Sequence, residues 1–212
     1  MSGPSRRAAI KAMVGLGLAS RLADCAPARQ ASPLNTPSAL PPDPEPAEKG
    51  ATERTFEERE HPSAGDSFVF ALGDREGQVV TPEDVPFGGP QVFVYPADAS
   101  GTHIDNDSRL DQVILLRVDP STLTEETAAR SAEGIVAYSG ICTHTGCEVS
   151  DWDEDARRLV CPCHDSQFDP SDNATVVEGP APRRLAAVPV VIVGGQLRAA
   201  GGFVGRVGVR RR

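Results

Sequence analysis

From residue 65 onward the chain alternates short apolar runs with Gly, Pro and Asp. The runs fall at 67–71, 78–81, 91–95, 112–118, 134–138, 159–161, 175–178, 188–193 and 196–200. Short segments rich in Val, Ile, Phe and Tyr and bounded by turn formers read as strands, so an all-β domain is predicted over 65–212. One stretch departs from this. One helical turn or two is expected within 121–130, where Thr122 and Glu125 stand at capping-box spacing and Ala128-Ala129 favour helix. No repeat period is visible, and a length of about 150 residues suits one domain.

Upstream the pattern disappears. Residues 26–62 hold eight prolines, including the run Pro41-Pro42-Asp43-Pro44-Glu45-Pro46, and such a composition cannot bury a core. A disordered, semi-extended tether is expected over 26–64, giving reach or acting as a plain spacer. Before it, Ser5-Arg6-Arg7-Ala8-Ala9-Ile10-Lys11 runs into an apolar stretch at 12–19 and resembles a twin-arginine (Tat) signal, although Ala9 stands where Phe is favoured. Arg21 and Asp24 end that stretch short of the about 20 residues a membrane span needs. Residues 1–25 are therefore read as a signal for export of a folded protein to the periplasm or the outer face of the cytoplasmic membrane. Cys25 follows Leu22-Ala23-Asp24 and resembles a lipidation site, with Asp24 a departure; cleavage after Ala26-Pro27-Ala28 is the competing reading. Lipid on Cys25 or an uncleaved signal would each associate the protein with the membrane.

The formal charge is -9, from 21 basic and 30 acidic residues. Nucleic acid is therefore not an expected partner. A basic redox protein would be steered by such a field, which otherwise serves solubility. Arg210-Arg211-Arg212 runs against the trend, as a frayed basic end or a contact for lipid headgroups.

The candidate chemistry is concentrated in two stretches. Cys142-Thr143-His144-Thr145-Gly146-Cys147 and Cys161-Pro162-Cys163-His164 hold four of the five cysteines and two of the four histidines. Each offers a thiol and an imidazole at loop spacing, Cys142 with His144 and Cys161 with His164, with sixteen residues between the halves. A metal centre accounts for both residue types. Zinc sites usually take two cysteines from one knuckle and two histidines from a helix, whereas mixed halves suit a cluster in which two cysteines hold one iron and two histidines the other. A zinc-bound structural or interaction module stays open as the reading from a different class. Four cysteines in an exported chain also allow two disulfides without metal, which leaves both histidines unexplained.

The residues C-T-H-T-G-C and C-P-C-H-D-S resemble the Rieske iron-sulfur family, most sharply over 137–168 and more loosely over 113–200. The resemblance implies one 2Fe-2S cluster held by Cys142, His144, Cys161 and His164. It further implies a disulfide between Cys147 and Cys163, as in the high-potential members, and hence an oxidising compartment. The fold it implies is an antiparallel β-sandwich with a small rubredoxin-like cluster-binding subdomain over about 139–179. Residues 65–112 match less well and are read as added strands of the base domain. His103, in a loop at 96–109, and His61 are expected to be exposed and without a ligand role.

The same resemblance assigns roles around the cluster. Ser166 stands where members place a hydroxyl that bonds a bridging sulfide. Phe168 replaces the Tyr of respiratory members and Asp165 replaces a Gly, and both changes are expected to lower the potential, the alternatives being that Phe168 only packs and Asp165 faces water. Gly179-Pro180-Ala181-Pro182 resembles the third, covering loop. Thr145 occupies the tip where respiratory subunits present a bulky apolar residue.

A ring bound to iron through one nitrogen keeps the other free, and its proton affinity follows the charge of the metal. His144 or His164 can thus take a proton together with an electron from a quinol. No substrate-pocket signature is present, so the chain reads as an electron-transfer subunit rather than a complete enzyme. The resemblance offers two settings. One is the iron-sulfur subunit of a bc-type quinol-cytochrome c oxidoreductase, with cytochrome b and cytochrome c as partners. The other, which 135–139 and Phe168 resemble, is the small subunit of an arsenite-oxidase-like molybdenum enzyme beside a molybdopterin subunit.

Overall fold

The computed structural model describes residues 62–209. The expected signal, Cys25, His61, most of the tether and Arg210 to Arg212 lie outside the described residues. In chain order, β1 (Ser67–Phe70), β2 (Val92–Ala97), β3 (Val113–Arg117) and β4 (Ile135–Ser139) come first. β5 (Asp151–Asp153), β6 (Arg158–Cys161), β7 (Ser166–Asp169) and β8 (Thr175–Glu178) follow, then β9 (Ala187–Val188), β10 (Val190–Val193) and β11 (Gln196–Ala199). The first and last groups form an antiparallel sheet ordered β10-β11-β1-β2-β3-β4-β9, and β5 to β8 form a four-stranded meander. Only Pro189 separates β9 from β10, yet they sit at opposite edges of the larger sheet. That sheet must therefore roll until its edges meet.

β3 and β4 read as unbroken apolar runs because both their faces are buried. Alternate side chains enter different cores. Val113, Leu115, Ile135 and Ala137 meet Phe68, Val94 and Leu197 in one. Ile114, Leu116, Val136 and Tyr138 meet Leu159, Phe168, Cys142 and Cys161 in the other. The second core holds the meander against the rolled sheet, and each large side chain buried there contributes about 1.5–3 kcal/mol. Tyr138 closes it by donating its hydroxyl to the Pro170 carbonyl at 2.7 Å.

Residues 65–112 supply β1 and β2, which lie between β11 and β3 in the larger sheet. Three local expectations are corrected. The run at 78–81 forms no strand: Val79 makes one isolated bridge to Val69, and the run is apolar because Val80 is fully buried. The helical turn expected within 121–130 is α1 (Glu125–Ala128), but its cap is Thr124 rather than Thr122, the Thr124 hydroxyl accepting from the Thr127 amide. Asp119 starts an earlier 3-10 turn by accepting from Ser121 N at 2.9 Å, and Thr122 donates its hydroxyl back to the Asp119 carbonyl instead of capping. Finally, β5 and β7 lie where no apolar run predicts them, because β5 has no buried residue and β7 buries only Ser166 and Phe168. No helix among the described residues is long and apolar enough to cross a membrane.

Candidate metal centre

Three loops meet at one end of the meander. The first leaves β4 and folds back on itself: the Cys142 amide donates to the Cys147 carbonyl at 2.7 Å, and the Gly146 amide returns to the Cys142 carbonyl at 3.1 Å. Gly146 supplies the left-handed turn between them, with φ +81°. The second loop is a hairpin, since Cys161 at the end of β6 pairs with Ser166 at the start of β7. Asp165 closes it at φ +55°, a conformation that favours Gly and that Asp tolerates better than most residues. Its side chain is exposed, so solvent screens its charge.

The third loop lies directly on the second. A Cβ on Gly179 would stand 2.5 Å from Ser166 Cα and 2.8 Å from the Asp165 carbonyl oxygen, so only Gly permits this approach. The Ala181 amide then donates to Ser166 Oγ at 3.1 Å, while Thr143 donates its hydroxyl to the Arg183 carbonyl at 2.6 Å. One bond ties the covering loop to the second loop, and the other ties the residue just after it to the first loop.

Within this frame Cys147 and Cys163 form a disulfide, and Cys142 and Cys161 are free and buried. The metal-free alternative with two disulfides is not what the chain adopts. The Cys161 sulfur lies within 4.8 Å of both disulfide sulfurs, so the bridge borders that free thiol. Burial, with the neighbouring Cys142 sulfur adding to it, pushes the Cys161 thiol up to about 11. A thiolate at this place therefore needs a cation beside it.

The His144 and His164 rings meet edge to face with centroids 4.7 Å apart. They differ in exposure. His144 Nδ1 is buried and has no hydrogen-bond partner among the described residues, whereas His164 is exposed. A buried imidazole nitrogen without a partner is costly unless something else occupies its lone pair. Ser166 is fully buried, and beyond accepting from Ala181 its hydroxyl proton meets no acceptor among the described residues. Phe168 is also fully buried, in the core that includes Cys142 and Cys161. Thr145 is exposed, its hydroxyl 3.6 Å from Cys147 Sγ. His103 is exposed and faces Asp98, with Nδ1 3.3 Å from Oδ2, apart from the candidate ligands.

Thr143, Arg183 and Arg109, which donates to the Gly146 carbonyl, are the supports that the sequence does not reveal. Their partners are 37 to 40 residues away in the chain. Thr143 alone carries a signal, since it lies between two candidate ligands.

A family model described as the Rieske [2Fe-2S] domain matches residues 105–189. A Streptomyces lividans protein named cytochrome bc1 complex Rieske iron-sulfur subunit is 35% identical over 131 residues, covering 60% of this chain and 76% of that protein. A Mycobacterium bovis protein of the same name is 35% identical over 144 residues, 60% of this chain but 33% of its own length, so the chain spans about a third of that relative. A Haloferax mediterranei protein named putative respiratory nitrate reductase subunit Rieske is 50% identical over 76 residues, 35% of this chain and 34% of that protein.

Proposed function

Because the chain belongs to the Rieske [2Fe-2S] protein family, we propose that Cys142, His144, Cys161 and His164 hold its cluster and that it carries single electrons. The reading of the site as a zinc module falls with that membership. What carries the ligand assignment is the orphaned, buried His144 Nδ1, facing a ring partner in His164 and set in the same loop as the free buried thiol of Cys142. When bound, the cluster supplies a one-electron couple, within roughly -150 to +300 mV for this ligand set.

The chain's own residues complete the site. The Cys147–Cys163 bridge and the Gly179 to Ala181 loop hold the ligand loops together and exclude water from the thiol side. The Ser166 hydroxyl, whose proton meets no acceptor among the described residues, would donate toward the bound cluster and so raise its potential. Exposed His164 holds or releases a proton at the ring nitrogen not given to metal, which is the coupling a quinol reaction requires.

The setting we favour is the iron-sulfur subunit of a bc-type quinol-cytochrome c oxidoreductase, between cytochrome b and cytochrome c, which the names of the Streptomyces and Mycobacterium relatives support. A second reading is a relay subunit beside a molybdopterin subunit, as in arsenite-oxidase-like enzymes. The exposed Thr145 at the tip and the Haloferax relative, named for a nitrate reductase, favour it. In either setting the protein is exported by the Tat route to the outer side of the cytoplasmic membrane, a compartment in which the disulfide persists. Anaerobic purification should recover the iron and labile sulfide of one cluster per chain, with an EPR signal of low average g after reduction. A colourless or zinc-loaded protein overturns the proposal. Neighbouring genes for cytochrome b or for a molybdopterin subunit separate the two settings.

A further inference from the structure

We propose that Arg183 is a positioning residue for the first ligand loop, acting in part through residues 206–208, a strap that it binds and that packs against the residue preceding Cys142. The proposal rests on the electron-transfer reading above and names the residue that keeps two of its ligands in place.

Arg183 is half-buried where three segments meet. Two residues before it, the Ala181 amide donates to Ser166 Oγ at 3.1 Å, next to the second ligand loop. Its own carbonyl accepts from the Thr143 hydroxyl at 2.6 Å, within the first. Its guanidinium Nη2 donates to the Arg206 carbonyl at 3.2 Å and to the Gly208 carbonyl. Residues 205–209 belong to no strand or helix, so these carbonyls have no ladder partner, and one charged donor serves both. Hydrogen bonds from an ionised donor are stronger than neutral ones.

The strap reaches the ligand loop by packing. Val204, just before it, is tied to Ala187 of β9 by two backbone hydrogen bonds of 2.7 and 3.0 Å. Gly208 is buried at φ +57°, and a Cβ there would stand 3.2 Å from Ile141 and 3.5 Å from Leu110. Ile141 is itself buried and directly precedes Cys142. Val209 comes within 3.9 Å of the place where a Cβ on Gly146 would be. Arg183 therefore acts on both chain neighbours of Cys142: its carbonyl holds Thr143, and its guanidinium holds the strap against Ile141. With both neighbours fixed, the backbone that carries the Cys142 thiol and the His144 ring is set before any metal bond forms, as a preorganised ligand set requires. Were the guanidinium only fastening a chain end, its loss would be felt at 206–208 and stop there. The close approach of Gly208 to Ile141 carries it into the loop.

The test uses the full chain with its cluster, beside Arg183→Met, Arg183→Lys, Gly208→Ala and the double variant of Arg183→Met with Gly208→Ala. Hydrogen–deuterium exchange is read by mass spectrometry over the peptide 140–148, in which the Cys142 and Gly146 amides are hydrogen-bonded within the loop. Arg183→Met keeps the aliphatic stem and removes the donors. It should speed exchange of that peptide by roughly threefold to tenfold, the scale of one ordinary hydrogen bond, and leave β1 and β2 at the parent's rate. It should also shift or broaden the EPR features of the reduced cluster, a signature of ligand geometry that a role confined to the chain end leaves untouched. Arg183→Lys, a flexible ammonium in place of the planar fork, should recover part of both effects. Gly208→Ala disturbs the contact with Ile141 and should reproduce them, and the double variant should add little to either single one, since the two act through one contact. Should Arg183→Met not fold, the Lys and Gly208→Ala variants decide by the same readings. Unchanged exchange over 140–148 or an unchanged spectrum in Arg183→Met overturns the proposal, and so does a double variant whose effects are the sum of the singles. Equal acceleration across the whole domain makes Arg183 a residue of global stability and overturns it as well. A parent protein that takes up no cluster fails the electron-transfer reading, while the exchange comparison still decides whether Arg183 holds the loop.

Discussion

Thr143 donates its hydroxyl proton to the Arg183 carbonyl at 2.6 Å, and this bond couples the first ligand loop to the segment that follows the covering loop. Thr143 is buried between Cys142 and His144, so slack here reaches two candidate ligands at once. Thr143→Val keeps the shape and removes the donor, at a cost of about 1–3 kcal/mol if the carbonyl stays dry. The urea midpoint should fall and the cluster should bleach faster on standing, with Thr143→Ser retaining most of both. A Val variant indistinguishable from the parent would mean that the loops are held by other contacts.

The disulfide closes a segment with sequence separation 16, and a cross-link over such a length stabilises by about 3 kcal/mol through the unfolded chain. Cys147→Ser should lower the melting temperature and shorten the cluster's lifetime, and a reductant should do the same to the parent but add nothing to the variant. Peptide mapping without reductant should recover Cys147 linked to Cys163. Equal melting of parent and variant would show that the closed loop is ordered without its bridge.

The centre is legible in the sequence because each of its halves is one loop. Cys142 with His144, and Cys161 with His164, need only local backbone to come near each other. Likewise β3 and β4 declare themselves, since burial on both faces leaves no polar position to blur them. What joins the halves is invisible locally. The Thr143 to Arg183 and Arg109 to Gly146 bonds are made by tertiary placement, and the close approach of Gly179 to Ser166 needs the third dimension to be seen. β7 is hidden for a related reason: Ser166 is buried as a polar residue that serves the covering loop, so the strand lacks an apolar signature. The helix cap is displaced from Thr122 to Thr124 because Asp119 takes the first turn.

Asp98 anchors the loop after β2. Its carboxylate accepts from Ser100 Oγ at 2.9 Å, from Thr102 N at 2.7 Å and from His103 N at 3.3 Å. Burial opposes its charge, but these bonds and the His103 ring more than offset that and hold the carboxyl well below the usual carboxylate range. A folded value below the unfolded one of about 3.9 gives stability that is complete above that value and is lost progressively as pH falls below about 4. Denaturant midpoints between pH 6 and pH 2 should therefore drop on the acid side. In Asp98→Asn the plateau should be lower and the acid limb shallower, and an unchanged limb would assign the acid loss to other carboxylates.

Phe168 is fully buried on β7, opposite Leu159, in the core that includes Cys142 and Cys161. A hydroxyl added to its ring has two fates. If it reaches a ligand sulfur, it withdraws charge and stabilises the reduced state; one net hydrogen bond of about 0.5–1.5 kcal/mol corresponds to a rise of about 20–65 mV, since 59 mV is tenfold for one electron. If it reaches none, it is a buried unpaired donor and costs about 1–3 kcal/mol of stability with no change in potential. Phe168→Tyr should follow the first course, and Ser166→Ala the opposite one, with a lower potential and some loss of stability because Ala181 N loses its acceptor. Protein-film voltammetry at a pH well below the histidine transitions separates the two fates when read beside denaturant midpoints. A Tyr variant that is less stable at an unaltered potential would show that the ring points away from the sulfurs, leaving Ser166 to set the potential from this strand.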